Sequence, residues 1–350
     1  MDPYGAKGPL SQRSRSLVSP LRSKFGIWLS LFISVAIVAY IFSRLDWGNM
    51  RSSLATANYG WMIFALMVFI LNYVFRTIRL KWLMGADGIP FSKLMVVTSL
   101  YGMFNYILPA KTGEVSFIVL LNRRLNLPIV DGASMLLASR FLDFIVIAIL
   151  LPFVLLVYWS VLPAWLIATS LVFSGIVFSA IVLLIFYLRK PATTLQPATS
   201  HLSRSLGNRL LRPVHQIQNG LRAIYARRIH FKLLFWTAAI WLCVYTNFYL
   251  IILGLNYTAN LYQVVVISVL MVPMTLLPFQ GFANLGTHEI AWVTAFMLFG
   301  MPEETALSIA ISSHFILLTF VLLLGASSLI IGLVQRNSSL PGIGGADSSG

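Results

Sequence analysis

The feature that most constrains this chain is a succession of apolar runs, the longer of them able to cross a hydrocarbon layer of about 30 Å at about 1.5 Å per helical residue. Tyr59 to Phe75, Ala133 to Val157, Pro163 to Leu188, Phe231 to Leu253 and Thr305 to Val334 are runs of this kind. Phe25 to Ser43 reads as a retained span rather than a signal peptide, because it ends at Arg44, Leu45, Asp46 and Trp47 without a small-x-small cleavage pattern. Composition agrees. Hydrophobic residues make up 58% of the chain and charged residues only 10%, against about 25% charged in soluble proteins, so an ordinary soluble fold is excluded. The expected fold is an all-α polytopic membrane protein of about six to eight transmembrane helices.

Charge placement sets the expected topology. Lys7, Arg13, Arg15, Arg22 and Lys24 precede the first run, which places a basic N-terminal segment (1–24) in the cytoplasm. Arg76, Arg79, Lys81 and Trp82 close the second run as interfacial positive charge on the same side. The formal net charge of +15 fits anionic lipid head groups on a cytoplasmic leaflet better than nucleic acid, since it sits on a chain of apolar runs. The loop 189–232 carries nine Lys and Arg residues and no Asp or Glu. Within it Leu202, Leu206, Leu210, Val214, Ile217, Leu221 and Ile224 recur at helical steps, the stripe of an amphipathic helix on an anionic leaflet, kinked or restarted at Pro213. A solvated connector fits the same loop. A transmembrane domain is expected over 25–335 and a disordered tail over 336–350. The only cysteine, Cys243, allows no intrachain disulfide, and no compact metal-ligand motif is present.

Polar groups within the apolar runs are the informative ones, because a charge at membrane depth is costly and normally faces a partner or a polar cavity. Glu114, Asp143 and Glu289 are the acidic residues so placed, the others falling in loops or tails. Arg140 and Asp143 stand three apart on one helix face and can pair, or Arg140 can hold a phosphate. Asn105 to Glu114 interrupts a run with Pro109, Lys111, Gly113 and Glu114, and reads as the tip of a re-entrant hairpin with Lys111 as an anion ligand or a snorkelling surface residue. Pro278, Gly281, Gly286, His288 and Glu289 form a second interruption, which spans or re-enters. Two broken segments in corresponding halves point to a transporter site between inverted repeats. His314 reads as structural.

Four of these segments in this order carry a resemblance: Arg76, Arg79, Trp82 and Leu83; the run Asn105 to Glu114; Arg140 to Asp143; and LPFQGFANLGTHE from Leu277 to Glu289, followed by Gly300. Together they resemble the lysylphosphatidylglycerol synthase transmembrane family, flippase-like membrane proteins, over about residues 25–335. The resemblance implies a domain that moves a phospholipid between leaflets. In two-domain synthases of this kind a cytoplasmic transferase is added, which the stretch after residue 334 is too short to hold, so this chain is not expected to be an enzyme. His288 stands where many members carry Arg, which leaves the lipid open.

The expected function is a lipid flippase acting on an anionic or aminoacylated phospholipid or a polyprenyl-phosphate-linked lipid in the inner or plasma membrane. Lys111 and Arg140 would hold the phosphate, while Glu114, Asp143 and Glu289 balance charge. With no GxxxxGK[ST] loop, transport would be passive or ion-coupled. No cofactor is expected. The rival reading is a non-transporting scaffold that recruits a lipid-modifying enzyme or glycosyltransferase through the basic loop. An intramembrane enzyme built on Glu114, His288 and Glu289 is a third, without a recognisable reaction pattern.

Overall fold

The computed structural model describes Gly48, Arg51 and residues 55–85, 88–108, 112–160, 162–189, 204–258, 260–275 and 287–337. The N-terminal segment, the apolar run Phe25 to Ser43 and the tail after residue 337 lie outside these. Among the described residues the longer elements are all helices: α1 (Tyr59–Met84), α2 (Phe91–Ile107), α3 (Thr112–Leu125), α4 (Ile129–Tyr158), α5 (Ala164–Arg189), α6 (Arg204–Ala226), α7 (His230–Gly254), α8 (Leu261–Thr275), α9 (Thr287–Leu298) and α10 (Glu303–Asn337). Five of them, α1, α4, α5, α7 and α10, are long and apolar enough to cross a membrane, and the chain is an all-α polytopic membrane protein.

Local chemistry sets the ends. Asn58 caps α1 through its side-chain oxygen, which accepts from the Gly60 and Trp61 amides at 3.0 and 3.4 Å. Gly85 stops the same helix in the left-handed conformation at φ 59°, its N–H returning to the Lys81 carbonyl. Pro90 and Pro128 precede α2 and α4, where a missing N–H costs nothing. Asp131, Glu303 and Glu304, expected in loops, instead occupy first helical turns, where a negative charge offsets the exposed amides.

The helices form a long, short, short, long pattern twice, α1 to α4 and α7 to α10. Helices α2, α3, α8 and α9 are 17, 14, 15 and 12 residues long, about 18–26 Å, each short of the hydrocarbon thickness. Because α1 joins α2 and α3 joins α4 through short connections, the α2/α3 hairpin leaves and returns at one end of the bundle. The α8/α9 hairpin does the same beside α7 and α10. Close packing holds the first hairpin shut: a Cβ on Gly113 would fall on the backbone of Asn105 and 2.7 Å from the Phe104 carbonyl oxygen.

Helices α1 and α7 make the most extensive contact in the molecule and run antiparallel. Asn72 Nδ2 donates to the Ile240 carbonyl at 2.8 Å, and Asn247 Nδ2 donates to the Ala65 carbonyl at 2.6 Å. One constant shift along the chain carries Asn72 to Asn247, Ala65 to Ile240, Thr112 to Thr287 and Glu114 to Glu289. The cross-contacts match as well, α10 packing on α2 as α4 packs on α8. These relations are those of an inverted repeat, in which two halves of opposite direction dip their hairpins into the bundle from opposite ends.

Helix α5 lies at the periphery, with Val172, Phe178 and Leu183 more than 60% exposed, as expected of a helix that is apolar all round and faces lipid. Helix α6 corrects two expectations. It runs through Pro213 without restarting, and its C-terminal half is not laid on a leaflet alone. Leu221 and Ile224 are buried, Ser134 of α4 donates to the Ile217 carbonyl at 3.3 Å, and Gly220 lies so close to Ser134 that no side chain fits between them. The apolar stripe is therefore covered in part by protein.

Candidate functional site

The charged groups flagged from sequence meet in one network. Asp143 of α4 accepts from Arg79 Nη1 of α1 at 2.6 Å, with both side chains under 10% exposed. Its other oxygen lies 3.7 Å from Arg140 Nη1. Arg140 turns its second nitrogen to Glu114 Oε1 of α3 at 2.8 Å and to the Tyr101 hydroxyl of α2 at 2.9 Å. Arg79 also donates to Thr237 Oγ1 of α7 at 3.2 Å, and that hydroxyl donates in turn to the Leu233 carbonyl. The chain Thr237, Arg79, Asp143, Arg140, Glu114 ties α7, α1, α4 and α3 together.

The expected Arg140–Asp143 pair is thus the longer of the contacts each residue makes, since helix packing delivers a nearer partner to both. Arg79 requires a larger correction. It was read as interfacial charge ending a span, yet it is 5% exposed and buried in an ion pair. No local signal distinguishes the two cases, because the partner carboxylate lies 64 residues away.

A small pocket opens on this network, and Arg76, Arg79, Tyr101, Arg140 and Asp143 stand in its wall. Arg76 donates from Nε to Asn72 Oδ1 at 2.7 Å and lies 5.9 Å from the centre of the Tyr73 ring. Among the described residues it has no carboxylate partner. Three guanidinium groups therefore meet two carboxylates, Asp143 and Glu114, and among the described residues the network carries one net positive charge. In a low-dielectric setting such a charge favours an anion, and guanidinium forks suit the oxygens of a phosphate.

A second pocket, about 150 Å³, shares Arg76 with the first and is lined further by Asn72, Tyr73, Tyr106, Cys243 and Asn247. Beyond it lies a second buried pair. Glu289, in the first turn of α9, and His314 of α10 stand 2.8 Å apart, Oε1 to Nδ1, each 1% exposed. The Tyr106 ring packs 5.3 Å from the His314 ring.

Asn105, Gly113 and Glu114 lie where α2 meets α3, and Glu114 alone of these three reaches the ion network. Pro109, Lys111, Pro278, Gly281 and Gly286 lie outside the described residues, as does the side chain of His288, whose backbone opens α9. Glu289 belongs to the His314 pair and not to the arginine network. Sequence reasoning did not select Arg76, Arg79, Tyr101 or His314 for the site. The two arginines stood in the motif, three apart on one face of α1, but that spacing does not separate a buried arginine from an interfacial one. Among the described residues no cluster of three or more His, Cys, Asp or Glu could hold a metal ion.

The family model for the lysylphosphatidylglycerol synthase transmembrane region matches residues 27–325. The chain belongs to that family, and what the family names is a membrane region rather than a catalytic domain. No curated protein matches the chain.

Proposed function

We propose that this protein is a lipid flippase-like transporter and not an enzyme, and that it moves a lipid bearing a phosphate between leaflets of the inner or plasma membrane with its N-terminus cytoplasmic. The observation that supports the reading best is the net positive network among helices apolar enough to span a membrane, where among the described residues Arg76 has no carboxylate of its own and Arg79 and Arg140 are held by Asp143 and Glu114. A partly buried cation without a carboxylate of its own favours an anion beside it, and an anionic head group would supply one. Lys111, which immediately precedes α3 in the sequence, would add a further cation. The acyl chains would stay in the bilayer beside the bundle while the phosphate moves through it. Two hairpins entering from opposite ends supply alternative access, since tilting one half against the other exposes the same site to either face.

The test is a leaflet assay in proteoliposomes, following dithionite quenching of fluorescent phosphatidylglycerol and of an aminoacylated analogue. Purified protein is expected to accelerate flipping, and Arg76→Gln and Lys111→Gln are each expected to slow it about tenfold or more, the worth of one charge-assisted contact. Flipping unaltered in both variants would refute the site. No protein-dependent flipping of any phosphate lipid would refute the transporter.

A further inference from the structure

At the end of the bundle where α1 gives way to α2 and α6 to α7 lies a third pocket, about 510 Å³, which shares no lining residue with the two above. That size is within the range of about 300–1,000 Å³ usual for ligand pockets. Lys81, Trp82 and Gly85 line it from the end of α1, Phe91 from the start of α2, and Arg227 from the turn between α6 and α7. Ile78, Lys81, Trp82 and Gly85 recur at steps of three and four on one face of α1, and Arg76 and Arg79 lie off that face.

The pocket is cationic. Arg227 crosses to α1, donating from Nη1 to the Trp82 carbonyl at 3.1 Å and from Nε to the Ala223 carbonyl at 3.3 Å. It can do so because residue 85 is glycine, since a Cβ there would fall on the guanidinium. Two of its nitrogens are thus held by carbonyls, and Nη2 has no partner among the described residues. Lys232 of α7 stands over the Trp82 ring, 4.3 Å from its centre, and Arg228 follows Arg227 in the turn. Among the described residues none of Lys81, Arg227, Arg228 and Lys232 has a carboxylate partner. In sequence the segments 78–93 and 223–235 hold a single carboxylate, Asp87. A cation completing the C-terminus of α1 accounts for one of the four, not for the others.

Apolar side chains surround these cations. Trp82 and Phe91 are exposed, Phe231 and Phe235 of α7 are 88% and 64% exposed, and α1 and α7 are both long and apolar enough to span a membrane. Further along the α1/α7 seam the Phe75 and Trp236 rings pack 5.4 Å apart, with Phe75 about 10 Å from Trp82 along the helix at about 1.5 Å per residue. Cations at the ends of two spanning helices, with aromatic side chains beside and beneath them, mark a head-group boundary. We propose that this pocket binds one anionic phospholipid from the leaflet at this end of the bundle, which the positive-inside rule makes cytoplasmic. The phosphate lies against Lys81, Arg227 and Lys232, and the acyl chains run along Phe231, Phe235 and Phe75. The site is separate from the arginine network, so the inference does not rest on the transporter reading.

Native mass spectrometry of the purified full chain tests this, with Arg76→Gln in the background so that lipid at the arginine network does not add to the count. Dioleoyl phosphatidylglycerol and dioleoyl phosphatidylcholine are offered at equal concentration, and glycerol 3-phosphate is offered separately as a soluble bearer of phosphate. We expect one phosphatidylglycerol retained per chain, in preference to phosphatidylcholine, and no glycerol phosphate. Arg227→Gln with Lys232→Gln lowers phosphatidylglycerol to the phosphatidylcholine level, a loss of about tenfold or more for two cations beside an anionic head group. Lys93→Gln with Arg123→Gln removes the same charge from exposed positions outside the pocket and leaves the lipid bound. Should Arg227→Gln fail to fold, Lys81→Gln with Lys232→Gln removes the same charge from exposed side chains and gives the same loss. Equal retention of the two lipids, or phosphatidylglycerol retained in the pocket variants, would overturn the proposal. So would its loss in the Lys93, Arg123 variant, which would mean diffuse surface charge, or retention of glycerol phosphate to the same extent, which would mean a site for a soluble anion.

Discussion

The two halves of the molecule share a backbone plan and differ in what they do with charge. In the first half Arg140 meets Glu114 at about 30% exposure, and an added pair, Arg79 with Asp143, is buried beneath it. In the second half the same constant shift carries Asp143 to Leu318 and Arg79 to Gly254. What remains there is Glu289 with His314, fully enclosed. Equivalent helix starts thus support a wet network of several charges on one side and a single dry pair on the other. The lesson is that an inverted repeat fixes where carboxylates reach the bundle interior, while the residue facing each carboxylate differs between the halves.

The sharpest way to break this asymmetry is Asp143→Ala, which strands Arg79 without a counter-charge. Removing one partner of a buried pair costs about 3–5 kcal/mol, to be read from thermal unfolding in detergent. The double variant Arg79→Met with Asp143→Leu makes this layer as apolar as the second half and is expected to recover most of that loss. A double variant no more stable than the single would show that the pair is not what holds α1 to α4. The next effect tests the symmetry itself. Asn72→Ala and Asn247→Ala each remove one buried hydrogen bond from the α1/α7 crossing, at about 1–2 kcal/mol each, and Asn72→Ala, which also removes the part-buried bond from Arg76, is expected to cost the more by under about 1 kcal/mol. A large inequality would show that the halves bear unequal loads at their shared axis. The smallest effect is Glu114→Gln, expected to change stability by less than about 1 kcal/mol because its pair is partly solvated. Glu289→Gln, in the enclosed pair, should cost more in the same melting experiment, and the reverse order would contradict the wet and dry distinction.

Much of the fold was legible in the chain because hydropathy and backbone hydrogen bonding act over neighbouring residues. Runs such as Ala133 to Val157 and Phe231 to Leu253 became α4 and α7 with ends shifted by a few residues. The break at Asn105 to Glu114 became a hairpin, as its Pro and Gly implied. The site was legible only in part. Glu114, Arg140 and Asp143 stood out because charge is expensive in lipid, but Arg79 near the end of an apolar run looked like an ordinary interfacial arginine. His314, among serines and apolar residues, gave no sign that a carboxylate 25 positions earlier in the chain would reach it. The amphipathic stripe of α6 was equally visible in sequence, yet whether lipid or protein covers it depended on where α4 lies.

By itself, then, the sequence determined that this is a helical membrane protein, where its helices run and which carboxylates enter the apolar layer. Each of these follows from the free energy of a residue and its near neighbours in lipid. Which base each carboxylate meets, and hence where positive charge gathers, was decided only by the tertiary structure. An ion pair needs two side chains within about 4 Å, and segments far apart in the chain come that close only when the antiparallel crossing of α1 and α7 sets the angle and depth of everything packed around it.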